Sequence, residues 1–271
     1  MKCPESPQTA GERTGAVLFF DLDGTLTAKK RGPSYAVLQA FETLRRNGHL
    51  AFLCTGRPLC HVDQKLRDAP LAGSITLAGG RIQVGEKVVQ NKTIPRDLLC
   101  STVEQFSRLG MTILFESSEA CCVLSPSKSR LMPFSGTRRV TGIEEMEELF
   151  PQLPFSKMVF MDEELPKFEK EQEFFQKHYK VYDIAVGCHE LTIPEINKRD
   201  AVLQVLKTLD RSREESYGFG DSENDLAMLE TVGTAVAMGN ALPTVKAMAD
   251  YVTEPVDRDG VPAALRAFGL I

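Results

Sequence analysis

The stretch that most limits what this chain can become is Ala16-Val17-Leu18-Phe19-Phe20-Asp21-Leu22-Asp23-Gly24-Thr25. An apolar run rich in β-formers leads directly into two carboxylates, a glycine and a threonine. A short apolar run closed by turn residues reads as a buried strand that releases its acids at the end. In an open α/β sheet, ligands gather outside the carboxyl ends of the strands. Asp21 and Asp23 therefore stand where chemistry is usually done. The competing reading makes Asp23-Gly24 a hairpin turn. The segment that follows, 25–33, is polar and basic and has no alternating strand to complete a hairpin.

The rest of the chain decides between these readings. Ser34 is placed to cap a helix whose apolar stripe is Val37, Phe41 and Leu44, and Asn47-Gly48 ends it. A strand at 50–54 closes on Thr55-Gly56-Arg57-Pro58. A helix over 59–68 and a strand at 75–77 follow, the latter running into Ala78-Gly79-Gly80. Alternation of strand and helix is the pattern of a parallel sheet. From about 81 the pattern changes. A hairpin about Gly85 is expected, then a helix over 95–109 and strands at 112–115 and 121–124. A helix over 142–150, a strand at 157–161, a helix over 163–177 and a strand at 179–186 complete an inserted α+β module. The polar segment 125–141 receives no element. From Lys198 the first pattern returns, with strands at 216–219, 234–237 and 251–252 separated by helices.

Composition excludes several function classes. A net charge of -5 argues against a nucleic-acid partner, and positive charge for an anionic substrate has to be local. No apolar run approaches the roughly 18–20 residues of a membrane span. The polar segment 1–15 lacks the apolar core of a secretory signal and reads as a frayed extension. The seven cysteines are scattered without a Cys-x-x-Cys pair, which suits reduced thiols in a cytoplasm. Neither they nor His49, His61, His178 and His189 show the spacing of a zinc site, and the histidines read as surface or satisfied residues.

Four polar clusters fall where loops of one sheet should lie: Asp21 and Asp23; Thr55-Gly56-Arg57; Lys198; and Gly220-Asp221-Ser222-Glu223-Asn224-Asp225. With Val236-Ala237-Met238-Gly239-Asn240-Ala241 and Asp259-Gly260-Val261, this order resembles the haloacid dehalogenase superfamily of aspartate-nucleophile phosphatases, in its Cof-type branch. The resemblance covers nearly the whole chain after Gly15. It implies an α/β fold: a Rossmann-like parallel-sheet core, residues 1–81 and 188–271, with an inserted α+β cap domain, residues 82–187. It also implies hydrolysis of a small phosphomonoester (a sugar phosphate, a nucleotide or a phosphorylated cofactor) with Mg²⁺ as cofactor.

The roles that the resemblance implies make chemical sense of the residue types. Asp21 would be nucleophile and metal ligand, Asp23 the general acid and base with a ligating main-chain carbonyl, and Asp221 a further ligand. Attack by a carboxylate on a charged phosphoryl group needs that charge neutralised, and a hard cation with oxygen ligands supplies this. Splitting hydrolysis through an aspartyl-phosphate divides one hard step into two, and the acid role calls for an Asp23 with a raised pKa. Thr55, Gly56, Lys198 and Asn224 would bind phosphate, with Gly56 opening a helix. Asp225 is either a helix cap, since Ser222-x-x-Asp225 is a capping-box pattern, or a support for Lys198 or a metal-bound water. Thr55 has a capping alternative of its own, and Arg57 reads as a partner for a core carboxylate.

Two departures from the branch stand out. Ala78-Gly79-Gly80 replaces the usual Asn-Gly-Ala, and Glu195 and Arg199 flank Lys198 where glycines are usual. Arg130, Arg138 and Arg139 in the polar segment are candidates for contact with an anionic substrate. A sugar phosphomutase and a non-catalytic phosphate-binding regulatory protein are the rival functions; oligomeric state is not legible.

Overall fold

In a computed structural model, the described residues are 15–28, 31–125, 137–184 and 187–271. The first lobe begins with β1 (Val17–Phe20), α1 (Tyr35–Arg46), β2 (Leu50–Cys54), α2 (Gln64–Arg67) and β3 (Gly73–Thr76), then β4 (Arg81–Val84) and β5 (Lys87–Asn91). The second lobe carries α3 (Arg96–Leu109), β6 (Ile113–Glu116), β7 (Cys121–Leu124), β8 (Arg138–Val140), α4 (Ile143–Leu149) and β9 (Lys157–Met161). It continues with α5 (Leu165–Phe168), α6 (Gln172–His178), β10 (Lys180–Ile184) and β11 (Cys188–Thr192). The chain then returns through α7 (Lys198–Thr208), β12 (Ser216–Gly220), α8 (Leu226–Leu229), β13 (Thr234–Ala237), α9 (Pro243–Met248), β14 (Tyr251–Val252) and α10 (Gly260–Ala267).

The large sheet has the order β14-β13-β12-β1-β2-β3-β4-β5, parallel from β14 to β3 and antiparallel at its β4–β5 edge. Every residue of β1 is buried, as expected of a parallel strand covered on both faces. The small sheet has the order β10-β11-β9-β6-β7-β8. Each sheet has its own apolar core: Phe19, Phe20, Phe41, Phe52 and Phe219 fill the first, while Phe106, Phe115, Phe155, Phe160 and Phe175 fill the second. Burying one such ring is worth about 1.5–3 kcal/mol. The fold is the expected α/β core with an inserted α+β cap.

The change of sheet does not fall at 81/82 and 187/188. β4 pairs with the free edge of β3, so the large sheet continues to Asn91. β11 pairs with both β9 and β10 and so belongs to the small sheet. The strand β11 is not apparent in the sequence because Cys188-His189-Glu190-Leu191-Thr192 carries buried polar groups whose partners lie on other strands and turns: His189 meets Asp162 and, on the paired strand β10, Asp183, and Glu190 meets Lys157. Two expected helices are broken. Residues 59–68 form a short 3₁₀ turn, Leu59–His61, and then the single turn α2. Residues 163–177 alternate between 3₁₀ and α geometry. Part of the unassigned polar segment is strand β8; Arg130 lies outside the described residues.

Candidate active site

The two distant aspartates meet because β1 and β12 are neighbours in register, Phe20 opposite Phe219. Those two rings stack with centroids 4.7 Å apart, and the Asp21 N–H donates to the Phe219 carbonyl at 2.9 Å. Both strands therefore release their acids at one edge. It is also where the strand order reverses, since the chain runs outward through β2 and β3 and comes back on the other side through β12. Such a switch point is where open α/β sheets bind ligands.

Residues after Asp21 turn tightly, with the N–H groups of Leu26 and Thr27 on the Leu22 carbonyl at 3.0 and 2.9 Å. Gly24 has φ +86°, and a Cβ at that position would lie 2.2 Å from Asp221 Oδ2. Only glycine lets this loop close on Asp221. Asn240 completes the closure: its Nδ2 donates to the Gly24 carbonyl at 2.9 Å and to Asp221 Oδ2 at 3.4 Å, and its Oδ1 accepts from Val256 N. Asn240 belongs to the 236–241 motif, and no local sequence signal points to this role, because both partners lie in other loops.

Lys198, the buried first residue of α7, donates to Asp21 Oδ1 at 2.7 Å and to Asp225 Oδ1 at 2.6 Å. Asn197 caps that helix through the Asp200 N–H. The other Asp225 oxygen accepts from Asp221 N at 3.0 Å and Ser222 N at 3.1 Å. Asp225 thus does both things its sequence context allowed: it caps the turn and holds the lysine. Asn224 accepts from Ser222 Oγ at 2.7 Å and lies beside this group.

Carboxylate oxygens of Asp21, Asp221 and Asp225 lie within 4.8 Å of one another, and Lys198 is the ammonium among them. Burial opposes the Lys198 charge, but Asp21 and Asp225 outweigh it and hold its pKa well up. Burial and the Asp225 charge push Asp21 well above the usual carboxylate range, against the pull of Lys198. Burial and Asp225 likewise push Asp221 up to about 7. Asp221 Oδ1 is buried and has no hydrogen-bond partner. An orphaned oxygen beside under-neutralised acids is the donor set that a hard divalent cation fits, so these residues suit Mg²⁺ on their own chemistry.

The remaining expected residues are placed differently. Asp23 is exposed and forms a two-pronged ion pair with Arg57, 2.7 Å at each contact. Thr55 is buried and accepts from the Arg57 N–H at 3.1 Å. No helix opens at Gly56, because Pro58 and the 3₁₀ turn intervene. The Thr55–Arg57 segment is therefore a hydroxyl-braced turn, and Thr55 caps no helix. A Cβ on Gly56 would come 3.0 Å from Glu190 Oε2 and 3.7 Å from Lys157 Nζ. The cap thus presents a Glu116–Lys157–Glu190 group to this turn, with Lys157 Nζ at 2.8 Å from Glu116 and 2.7 Å from Glu190. Ala78, at the position of the usual asparagine, is buried in the apolar core of the cap with φ 56°. An amide there would need a polar partner inside that core.

Residues 18–265 match the family model of haloacid dehalogenase-like hydrolases. The chain belongs to that family, in its Cof-type branch. It is similar to YkrA of Bacillus subtilis (strain 168), provisionally named a phosphatase, at 28% identity over 94% of this chain and 98% of the relative. The phosphoglycolate phosphatase of Methanothermobacter thermautotrophicus is 26% identical over 93% and 97%. Among solved structures, the subclass IIB sugar phosphatase BT4131 aligns with TM-score 0.79 at 27% identity, over 94% of this chain and all of the other. The chain is thus a hydrolase with the core-and-cap fold of this family. Among the described residues no helix is long and apolar enough to cross a membrane.

Proposed function

We propose that this protein is a Mg²⁺-dependent phosphatase acting on a small phosphomonoester, with Asp21 as nucleophile. The observation that carries the reading is Lys198, buried between Asp21 and Asp225, with Asp221 closed onto the Asp21 loop through Gly24. Asp21, Asp221 and the Asp23 carbonyl would hold the ion; when bound, it would neutralise the phosphoryl oxygens. Lys198 fixes one oxygen of Asp21 and leaves the other for attack. Thr55 and the turn through Gly56 would receive the phosphate, aided by Asn224. Asp23 would leave Arg57, protonate the departing oxygen and then take a proton from the attacking water, which cleaves the aspartyl-phosphate. Residues 96–192 would form the cap, whose closure excludes water.

The charge facing the Gly56 turn bears on the substrate. Glu116, Lys157 and Glu190 together are net negative, which disfavours a leaving group with a second anionic centre and suits hydroxyls that donate and accept hydrogen bonds. A phosphorylated polyol is therefore favoured over a nucleotide. Release of inorganic phosphate from a panel of phosphoesters with Mg²⁺ tests this. Asp21→Asn is expected to lower kcat at least about 10⁴-fold while binding of a sugar phosphate persists. Turnover unchanged by that substitution would remove Asp21 from the reaction, and isomer formation in place of phosphate release would indicate a mutase.

A further inference from the structure

Beside the phosphatase site, the cap meets the core at a second cluster of ligating side chains. Cys60 and His61 come from the core, in the 3₁₀ turn Leu59–His61, and Cys121 is the first residue of cap strand β7. The two sulfurs and a ring nitrogen of His61 lie within 4.8 Å of one another, with Cys121 Sγ 3.7 Å from His61 Nε2. In tetrahedral zinc coordination, bonds of about 2.3 Å to sulfur and 2.0–2.1 Å to nitrogen separate the donors by roughly 3.6 Å. On the far side of the ring, His61 Nδ1 faces Glu116 Oε1 at 3.6 Å, with both side chains buried. A carboxylate on the non-ligating nitrogen is the usual support for a metal-bound histidine.

We propose that Cys60, His61 and Cys121 bind a divalent cation of the zinc class, and that this ion clasps the cap to the core. Two thiolates and an imidazole select a soft or borderline ion against Mg²⁺, whereas the aspartate site does the reverse. Binding replaces both thiol protons, which pass to solvent, and leaves a fourth position for water or a substrate atom. The clasp also reaches the catalytic loop, since Arg57 donates to the His61 carbonyl at 3.2 Å and pairs with Asp23. The ligands escape a reading by spacing because 60 and 61 are adjacent and 121 lies in the other lobe.

The test is a titration of reduced, metal-stripped full-length protein with Co²⁺ in excess Mg²⁺, followed by displacement with Zn²⁺. One Co²⁺ per chain is expected, with a sulfur-to-cobalt charge-transfer band and the intense visible bands of four-coordination. The exposed Cys60 tolerates Cys60→Ser, which should weaken binding at least 10-fold and diminish the charge-transfer band; Glu116→Gln should weaken it about 10–100-fold and keep the band. Asp221→Asn should change neither. Zn²⁺ should slow amide exchange in both 57–62 and 121–124 of the unsubstituted protein, but not in Cys60→Ser. A missing charge-transfer band, or binding abolished by Asp221→Asn and not by Cys60→Ser, would overturn the site. Exchange slowed in only one of the two segments would overturn the clasp. These readouts need no turnover, so a silent enzyme would sink the phosphatase reading alone.

Discussion

Among the described residues a lysine is buried between two carboxylates twice, once in each lobe, and the two groups are opposite in character. In the core, Lys198 sits between Asp21 and Asp225, with Asp221 close by. In the cap, Lys157 sits between Glu116 and Glu190, with His61 beside Glu116. Burial raises Asp21 and Asp221, and one lysine does not compensate for it. Burial works against Glu116 too, but Lys157 and His61 outweigh it and hold its pKa below the usual value. The same motif thus leaves its acids raised in one lobe and holds Glu116 low in the other, although the cap group is also net negative. On the proposed reading, the deficit in the core is where the cation would bind, and the cap group would face the substrate.

Removing each lysine tests the contrast most strongly. Leaving acids buried without their partner costs about 3–5 kcal/mol. Lys198→Met and Lys157→Met should each lose stability of that order in urea unfolding. Added Mg²⁺ should restore much of the loss for Lys198→Met, because the ion takes over part of the lysine's charge, and little for Lys157→Met. Equal restoration in both would make the two groups equivalent and end the comparison.

Part of this difference was legible in the sequence and part was not. The strand leading to Asp21 announces itself through an apolar run that only a doubly covered strand needs, and Lys198 and the 220–225 cluster fall at element boundaries. The core group was readable because its residues are tied to local backbone signals. Glu116, Lys157 and Glu190 carry no such signal. They stand in three strands, β6, β9 and β11, whose pairing brings them together, and the polarity of β11 concealed it as a strand. The Arg57 pair with Asp23 was foreseen only as some core carboxylate, because the partner depends on how the loops of β1 and β2 lean. The breaks in 59–68 and 163–177 reflect packing that local propensity does not determine.

The two lobes should also respond to pH with opposite sign. Asp221 keeps its proton in the folded protein up to about 7 and has a reference value of 3.8. The stability linked to that proton is full below about 4 and is lost as pH rises through about 7, and Asp21 acts in the same direction. Glu116 is shifted down from 4.5, so its contribution is present above that value and is lost as pH falls through its folded pKa. Metal-free protein should therefore lose on the order of 2–4 kcal/mol between pH 4 and 7 from the core. Saturating Mg²⁺ or Asp221→Asn should flatten this fall, while Glu116→Gln should leave it in place. Unfolding midpoints across that range, with and without Mg²⁺, decide it; a metal-free curve that rises throughout would contradict the deficit.

The finest distinction concerns what holds Asp221 in place. Asn240 ties the Gly24 carbonyl to the Asp221 carboxylate, and its contact with Asp221 draws that pKa down against burial and the neighbouring acids. Asn240→Ala removes these two hydrogen bonds and the one accepted from Val256 N, all at an exposed position, which should cost about 1–2 kcal/mol. It should also move the metal-free pH transition upward, because the charged form of Asp221 loses a donor. A merely structural tie to Gly24 would lower stability equally at every pH. The same pH series on Asn240→Ala therefore separates the two: a displaced midpoint assigns the amide to the charge balance of the core group, and a uniform drop assigns it to the loop alone.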